Sequence, residues 1–173
     1  MKTLKTWVAA ATMLAFAGTA QAALINQGNG TVKDTNTNLI WLQDWDVNGL
    51  TNWSTQKAWA EGLDFAGSTD WELPEISEYG VLFAAYGNLT LEPQFSNVRS
   101  GHYWSGTEFP GGNGVWYFFP DSGSQDGANA RNRFFAVAVR PGDVTASVPE
   151  PQTLALALLA LGATVVARRR RPA

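Results

Sequence analysis

Thr31-Val32-Lys33-Asp34-Thr35-Asn36-Thr37-Asn38-Leu39-Ile40-Trp41-Leu42 reads as a β-hairpin, and the rest of the chain is read outward from it. Two short apolar or β-branched runs, Thr31 to Asp34 and Leu39 to Leu42, flank a cluster of Thr and Asn. Those residue types bond their own backbone and so favour turns. Downstream the pattern becomes helical. Ser54 is placed to cap a helix running to about Leu63, with Trp59 and Leu63 on one face and Gly67 beyond its end. Pro74 precedes a second helix ending near Tyr86, where Gly87 can supply a left-handed exit. Ile76, Tyr79, Gly80 and Phe83 recur at i, i+3, i+4 and i+7, the spacing of a buried stripe.

After Gln94 the texture is that of strands. Tyr103 to Ser105, Val115 to Phe119 and Phe134 to Arg140 are rich in aromatic and β-branched residues, and Gly111-Gly112-Asn113-Gly114 supplies a hairpin loop between the first two. The expectation is an α+β domain made of a strand hairpin, two helices and then an antiparallel sheet. No internal repeat or low-complexity linker divides Ala23 to Ser147, so this stretch is read as one domain, large enough to fold alone.

Composition narrows the chemistry. The chain has 173 residues and no cysteine, so stability must come from packing, and thiol nucleophiles and thiolate ligands are excluded. The overall charge of -3 conceals an acidic domain: between Ala23 and Ser147 fourteen carboxylates face six cations, a net -8. Nucleic acid is a poor partner for such a surface, because Lys and Arg must neutralise phosphate. Seven Trp, four Tyr and eight Phe fall in the same stretch. Large rings fill a small core, and one or two could instead serve as a sugar-stacking platform.

Both ends read as membrane-interacting segments. Lys2 and Lys5 precede an apolar run from Trp7 to Ala17 and an Ala20-Gln21-Ala22 site, the three parts of a secretory signal peptide over residues 1–22, with cleavage expected between Ala22 and Ala23. At the other end Val148-Pro149-Glu150-Pro151 breaks regular structure before an uncharged apolar run from Thr153 to Ala167, followed by Arg168, Arg169, Arg170 and Arg171. At about 1.5 Å per residue that run makes a helix of about 22 Å, which spans a bilayer only with help from Gln152 and snorkelling arginines. The arginines hold that end in the cytoplasm and leave everything before Pro149 outside.

The order of box, helix and arginines over residues 148–173 resembles the PEP-CTERM sorting signal of Gram-negative bacteria that make exopolysaccharide. The resemblance implies processing by an exosortase, an inner-membrane-anchored intermediate, and a final place at the cell surface or in the extracellular matrix. Only the Pro149-Glu150-Pro151 box separates this reading from an ordinary stop-transfer helix.

A second resemblance covers nearly all of residues 23–147. Val32-Lys33-Asp34 with Thr37-Asn38-Leu39-Ile40-Trp41, then Trp53 and Ala58, Asp70-Trp71-Glu72-Leu73-Pro74 with Glu78, Tyr103-Trp104-Ser105, Trp116 and Val139-Arg140 are similar in order to the Lcl C-terminal domain family. This implies a single C-type-lectin-like domain and brings no catalytic site with it. The family usually has Arg at the position of Glu72 and Thr at that of Glu75. Without Thr, an N-cap able to pair with Glu78 in a capping box is missing, an expected loss of about 1 kcal/mol.

Motifs for catalysis are sparse. His102 is the sole histidine and lies beside Tyr103-Trp104, where a structural or half-exposed ring is expected. No G-x-S-x-G, H-E-x-x-H or Gly-rich phosphate loop occurs. Asp44 with Asp46 and Glu75 with Glu78 are carboxylate pairs on an acidic surface. The loop Asp121-Ser122-Gly123-Ser124-Gln125-Asp126-Gly127 is a calcium candidate through Asp121 and Asp126, or else a polar hairpin loop; it lacks the EF-hand pattern. Glu92-Pro93-Gln94 only grazes a sugar-binding lectin signature. No cofactor is implied. Two functions stand: a non-catalytic surface or matrix module binding polysaccharide or protein, with exosortase, exopolysaccharide or a surface protein as partners; or an extracellular polysaccharide hydrolase using carboxylates.

Overall fold

In the computed structural model, which describes residues 22–112 and 114–143, strands β1 (Leu24–Asn26), β2 (Thr31–Asp34) and β3 (Leu39–Leu42) form an antiparallel meander. The hairpin forms over the expected strands, with Asp34 opposite Leu39. Its turn is organised by the Asp34 carboxylate, which is fully buried and accepts from Asn36 N–H at 2.9 Å, Thr37 Oγ1 at 2.7 Å and Tyr86 Oη at 2.7 Å. Three donors take the place of a counter-ion for this carboxylate.

Helix α1 (Trp53–Glu61) is capped by Asn52, whose Oδ1 accepts from Thr55 N–H at 3.0 Å. Ser54, the expected cap, sits in the first turn and donates to the same Asn52 oxygen at 2.9 Å. The helix ends at Glu61 rather than Leu63, and its buried residues are Gln56 and Ala60, while Trp59 and Leu63 are half-buried. Gln56 prevails on that face because loop carbonyls need donors there. Its Nε2 donates to Gly49 O at 2.8 Å and Phe134 O at 3.1 Å, and its Oε1 accepts from Asn48 Nδ2 at 2.9 Å.

Helix α2 (Ile76–Tyr86) has Glu75 as N-cap and Glu78 at the third position, and Glu75 N–H donates to Glu78 Oε2 at 2.8 Å. The capping box expected to be missing is present, with the Glu75 carboxylate in the place of a Thr hydroxyl, and Thr107 Oγ1 adds to it by accepting from Ile76 N–H at 3.0 Å and donating to the Glu75 carboxylate. Tyr79 and Leu82 are the buried residues, so of the expected stripe only Tyr79 is fully buried, while Ile76, Gly80 and Phe83 are half-buried. Gly87 has a positive φ of 74° but a ψ of -141°, so the chain leaves the helix extended rather than through the left-handed helical well.

A second antiparallel sheet follows a 3-10 turn at Leu89–Leu91. It comprises β4 (Tyr103–Glu108), β5 (Val115–Phe118) and β6 (Gln125–Ala128), in that order. β6 lies where a loop was expected, because Gln125-Asp126-Gly127-Ala128 has the composition of a turn and is held as a strand only by its ladder to β5. The last expected strand also differs. Its regular part, β7 (Val139–Pro141), pairs with β3, so the first sheet has the order β1-β2-β3-β7. The structure is α+β with two helices and two antiparallel sheets rather than one sheet after the helices.

Helix α2 packs on the β4–β5 sheet, with Tyr79 stacked on Phe118 at 4.6 Å and 10°. Trp45 lies at the centre, its ring against Trp41, Tyr79, Phe95 and Tyr103. Ala23 closes the start of the domain: its N–H donates to Thr35 Oγ1 at 2.9 Å and its carbonyl accepts from Thr35 N–H at 3.0 Å. Residues 1–21 of the expected signal peptide, whose expected end is Ala22, and the expected tail from Val148 lie outside the described residues. Among the described residues no helix is long and apolar enough to cross a membrane.

Replacing Gln56 by Leu, which hydropathy alone would favour, leaves the Gly49 carbonyl without its donor and Asn48 Nδ2 without its acceptor, while the Phe134 carbonyl keeps only its bond from Thr51 N–H at 3.1 Å. The variant should lose about 2–3 kcal/mol of stability in urea unfolding. An unchanged or raised midpoint would show that the Gln56 bonds do not hold the loop.

Candidate functional site

The two carboxylate pairs singled out in the sequence are bound into turns, an ion pair and a helix cap. Asp44 accepts from Asp46 N–H at 2.9 Å and from Asn97 Nδ2 at 2.8 Å, and Asp46 pairs with Arg99 at 2.8 Å. Glu75 and Glu78 serve the start of α2. Burial pushes the Glu78 carboxyl above its usual range, the Glu75 N–H bond opposes this, and the neighbouring Glu72 and Glu75 charges add to the rise.

Asp121 and Asp126 are given separate partners. Asp121, in the turn after β5, accepts from Ser100 Oγ at 2.5 Å, and that bond, aided by Ser122, holds its carboxyl below the usual range. Asp126 is on β6 opposite Tyr117 and accepts from Gly127 N–H at 2.7 Å. Among the described residues, no group of three or more His, Asp or Glu side chains is placed to hold a metal ion. His102 is half-buried in an aromatic strip, stacked on Phe134 at 4.6 Å and close to Phe119 at 4.5 Å and Tyr117 at 4.9 Å.

A cleft of about 480 Å³ opens at the tip of the β4–β5 hairpin, where the start of α1 meets residues 129–131. Trp53, Glu108, Val115, Asn129 and Arg131 line it. Trp53 is fixed twice: its backbone N–H donates to Ala130 O at 3.0 Å and its indole N–H to Ser105 O at 2.9 Å. Lys57, one turn on, lies over the ring at 5.1 Å. Glu108 ends β4 opposite Val115, after a register shift that turns the strand's end. Asn129 Oδ1 accepts from Arg131 N–H at 3.0 Å, which sets the turn carrying the Arg131 side chain. A Cβ at Gly114 would meet Ala128 O at 2.7 Å, so only glycine lets β5 begin this close to the end of β6.

Glu108 and Arg131 are exposed, and among the described residues neither side chain has a hydrogen bond or ion pair. The cleft thus presents a fixed ring, the Glu108 carboxylate, the Arg131 guanidinium and the Asn129 amide, within the volume of about 300–1,000 Å³ common for ligand clefts. The sequence reading did not foresee it. Trp53 appeared only as one of a series of family-like residues, and nothing local marks Glu108, Asn129 or Arg131.

Compared with known families, residues 30–140 match the Lcl C-terminal domain and residues 147–171 match the PEP-CTERM protein-sorting motif. No curated protein matches the chain. Both resemblances read from the sequence are borne out. The sorting motif implies an exported protein processed by an exosortase through a membrane-anchored intermediate. Its residues Val148 to Pro151 and Arg168 to Arg171 lie outside the described residues. Much of the domain series lies in the core: Trp41, Trp71, Leu73, Tyr103, Trp104 and Val139 are all buried.

Thermal melts with added calcium and with chelator should coincide, because Asp121 and Asp126 are each bonded within the protein. A shift of several degrees would place a cation on that loop.

Proposed function

The chain belongs to the Lcl C-terminal domain family, and on that premise we propose that it is an exosortase-sorted protein of the cell surface or extracellular matrix. Its domain acts as a non-catalytic binding module for polysaccharide or protein. The observation that carries this reading is a sorting motif directly behind a domain whose main cleft holds a single carboxylate, Glu108. Glycoside hydrolysis commonly uses two carboxylates flanking the scissile bond. The depression that does gather carboxylates, Glu61, Glu72 and Glu75 with Lys57, measures about 120 Å³, small for a sugar chain.

A C-type-lectin-like architecture is part of the proposal. It is supported by a return strand, β7, that joins the opening hairpin into one sheet while the second sheet is built wholly from the chain between them. A lectin-like fold does not by itself give lectin function, so the binding reading rests on the cleft. In the intermediate, the apolar run anchors the inner membrane with Arg168 to Arg171 in the cytoplasm.

Replacing Pro149, Glu150 and Pro151 by alanine keeps the apolar run and its arginines, so the variant should still insert in the membrane. In a host with an exosortase the unaltered protein should lose its tail and reach the surface or matrix, whereas the variant should remain membrane-bound at full length by mass and fractionation. Identical behaviour of the two would reduce the tail to an ordinary anchor.

A further inference from the structure

We propose that the Trp53 cleft is a subsite for a neutral pyranose unit of a polysaccharide, with Trp53 as the stacking ring, Glu108 as acceptor and Arg131 as donor to its hydroxyls. This deepens, and rests on, the reading of the domain as a binding module. A pyranose has an apolar face of C–H bonds and a rim of hydroxyls, so it calls for a ring held in place with polar groups at its edge. Trp53 meets the first need, because its two hydrogen bonds to Ala130 and Ser105 fix its orientation before any ligand arrives. Preorganisation of this kind lowers the entropy lost on binding. Glu108 and Arg131 meet the second, since each lines the cleft and neither side chain is engaged within the described residues. A carboxylate and a guanidinium can each bond two neighbouring hydroxyls.

The charges select against acidic sugars. Glu108 and Arg131 cancel within the cleft, and the surrounding domain carries a net -8, which repels polyanions. At β5 the cleft offers an extended peptide no open edge. A peptide gains affinity by adding to an open sheet edge, but β5, whose first residue lines the cleft, is already paired on both sides by β4 and β6.

The test is an indole-fluorescence titration of the exported protein with cellohexaose, laminarihexaose, maltohexaose and an oligogalacturonate, at low and high salt. The account expects at least one neutral hexasaccharide to bind with little salt dependence. Arg131→Ala and Glu108→Gln, both exposed, should keep the melting temperature and weaken that binding at least fivefold; Trp53→Ala should weaken it more than tenfold, and Trp53→Phe should restore part of the loss. Binding that the three positions do not affect would overturn the site while leaving a saccharide-binding module intact. Binding of the uronate alone, lost at high salt, would overturn the ligand class. No saccharide binding alongside capture of a surface protein would overturn this inference and leave the broader module reading, whereas neither kind of binding would remove both.

Discussion

The run from Ala136 to Arg140 is the constraint on which the rest of the structure depends. All five residues are buried, with no alternation of exposed and covered positions, as in a strand covered on both faces. At one end Phe135 exchanges bonds with β4, through Phe135 N–H to His102 O at 3.0 Å and Trp104 N–H to Phe135 O at 2.9 Å. Further along, Leu42 N–H reaches Ala138 O at 3.0 Å, and Glu72 and Val139 exchange both of their bonds at 2.9 Å. The run from Ala136 to Arg140 therefore ties the first hairpin to the link between the helices, and Phe135, just before it, ties both to the second sheet. The cleft inherits its geometry from this tie, because β4 carries Ser105, the acceptor that fixes the Trp53 ring.

This arrangement explains what the family series is for. Trp71 is buried with the Arg140 guanidinium 5.7 Å above its ring, so the Trp of the Asp70-Trp71 pair and the closing Val139-Arg140 meet in space. Arginine suits that place, since its planar cation stacks on an indole face. Glu72 contributes its backbone to the Val139 bridge while its side chain is exposed, so Arg and Glu are equally compatible with the bonds formed there. At position 75 the Glu75 carboxylate closes the capping box with Glu78, and Thr107 adds a hydroxyl that accepts from Ile76 N–H. The departure at Glu72 falls where the fold does not use the side chain, whereas at Glu75 the carboxylate itself serves the cap.

The hairpin and the two helices were legible because turn chemistry and apolar spacing are local signals. The partner of the last strand was not, since Phe134 to Arg140 carries strand-forming residues but nothing that says which strand they will meet. Gln56 was passed over because hydropathy ranks Trp59 above it, and the carbonyls that need its amide arrive from Gly49 and from Phe134, far along the chain. The cleft was hidden for the same reason, its ring, acceptor and donor coming from residues 53, 108 and 131. The sorting motif was the most legible element, because a linear signal is recognised from its order alone.

Native-state hydrogen exchange tests the central claim most directly. If the segment from Ala136 to Arg140 joins the two halves, the amides of Leu42, Glu72, Trp104 and Val139 should exchange only through global unfolding, with denaturant dependence matching that of the whole domain. Amides of the edge strand β6 should exchange faster, by local opening. Fast local exchange at Glu72 and Val139, with the β4–β5 ladder still protected, would mean that the sheets hold together without this segment and would contradict the account.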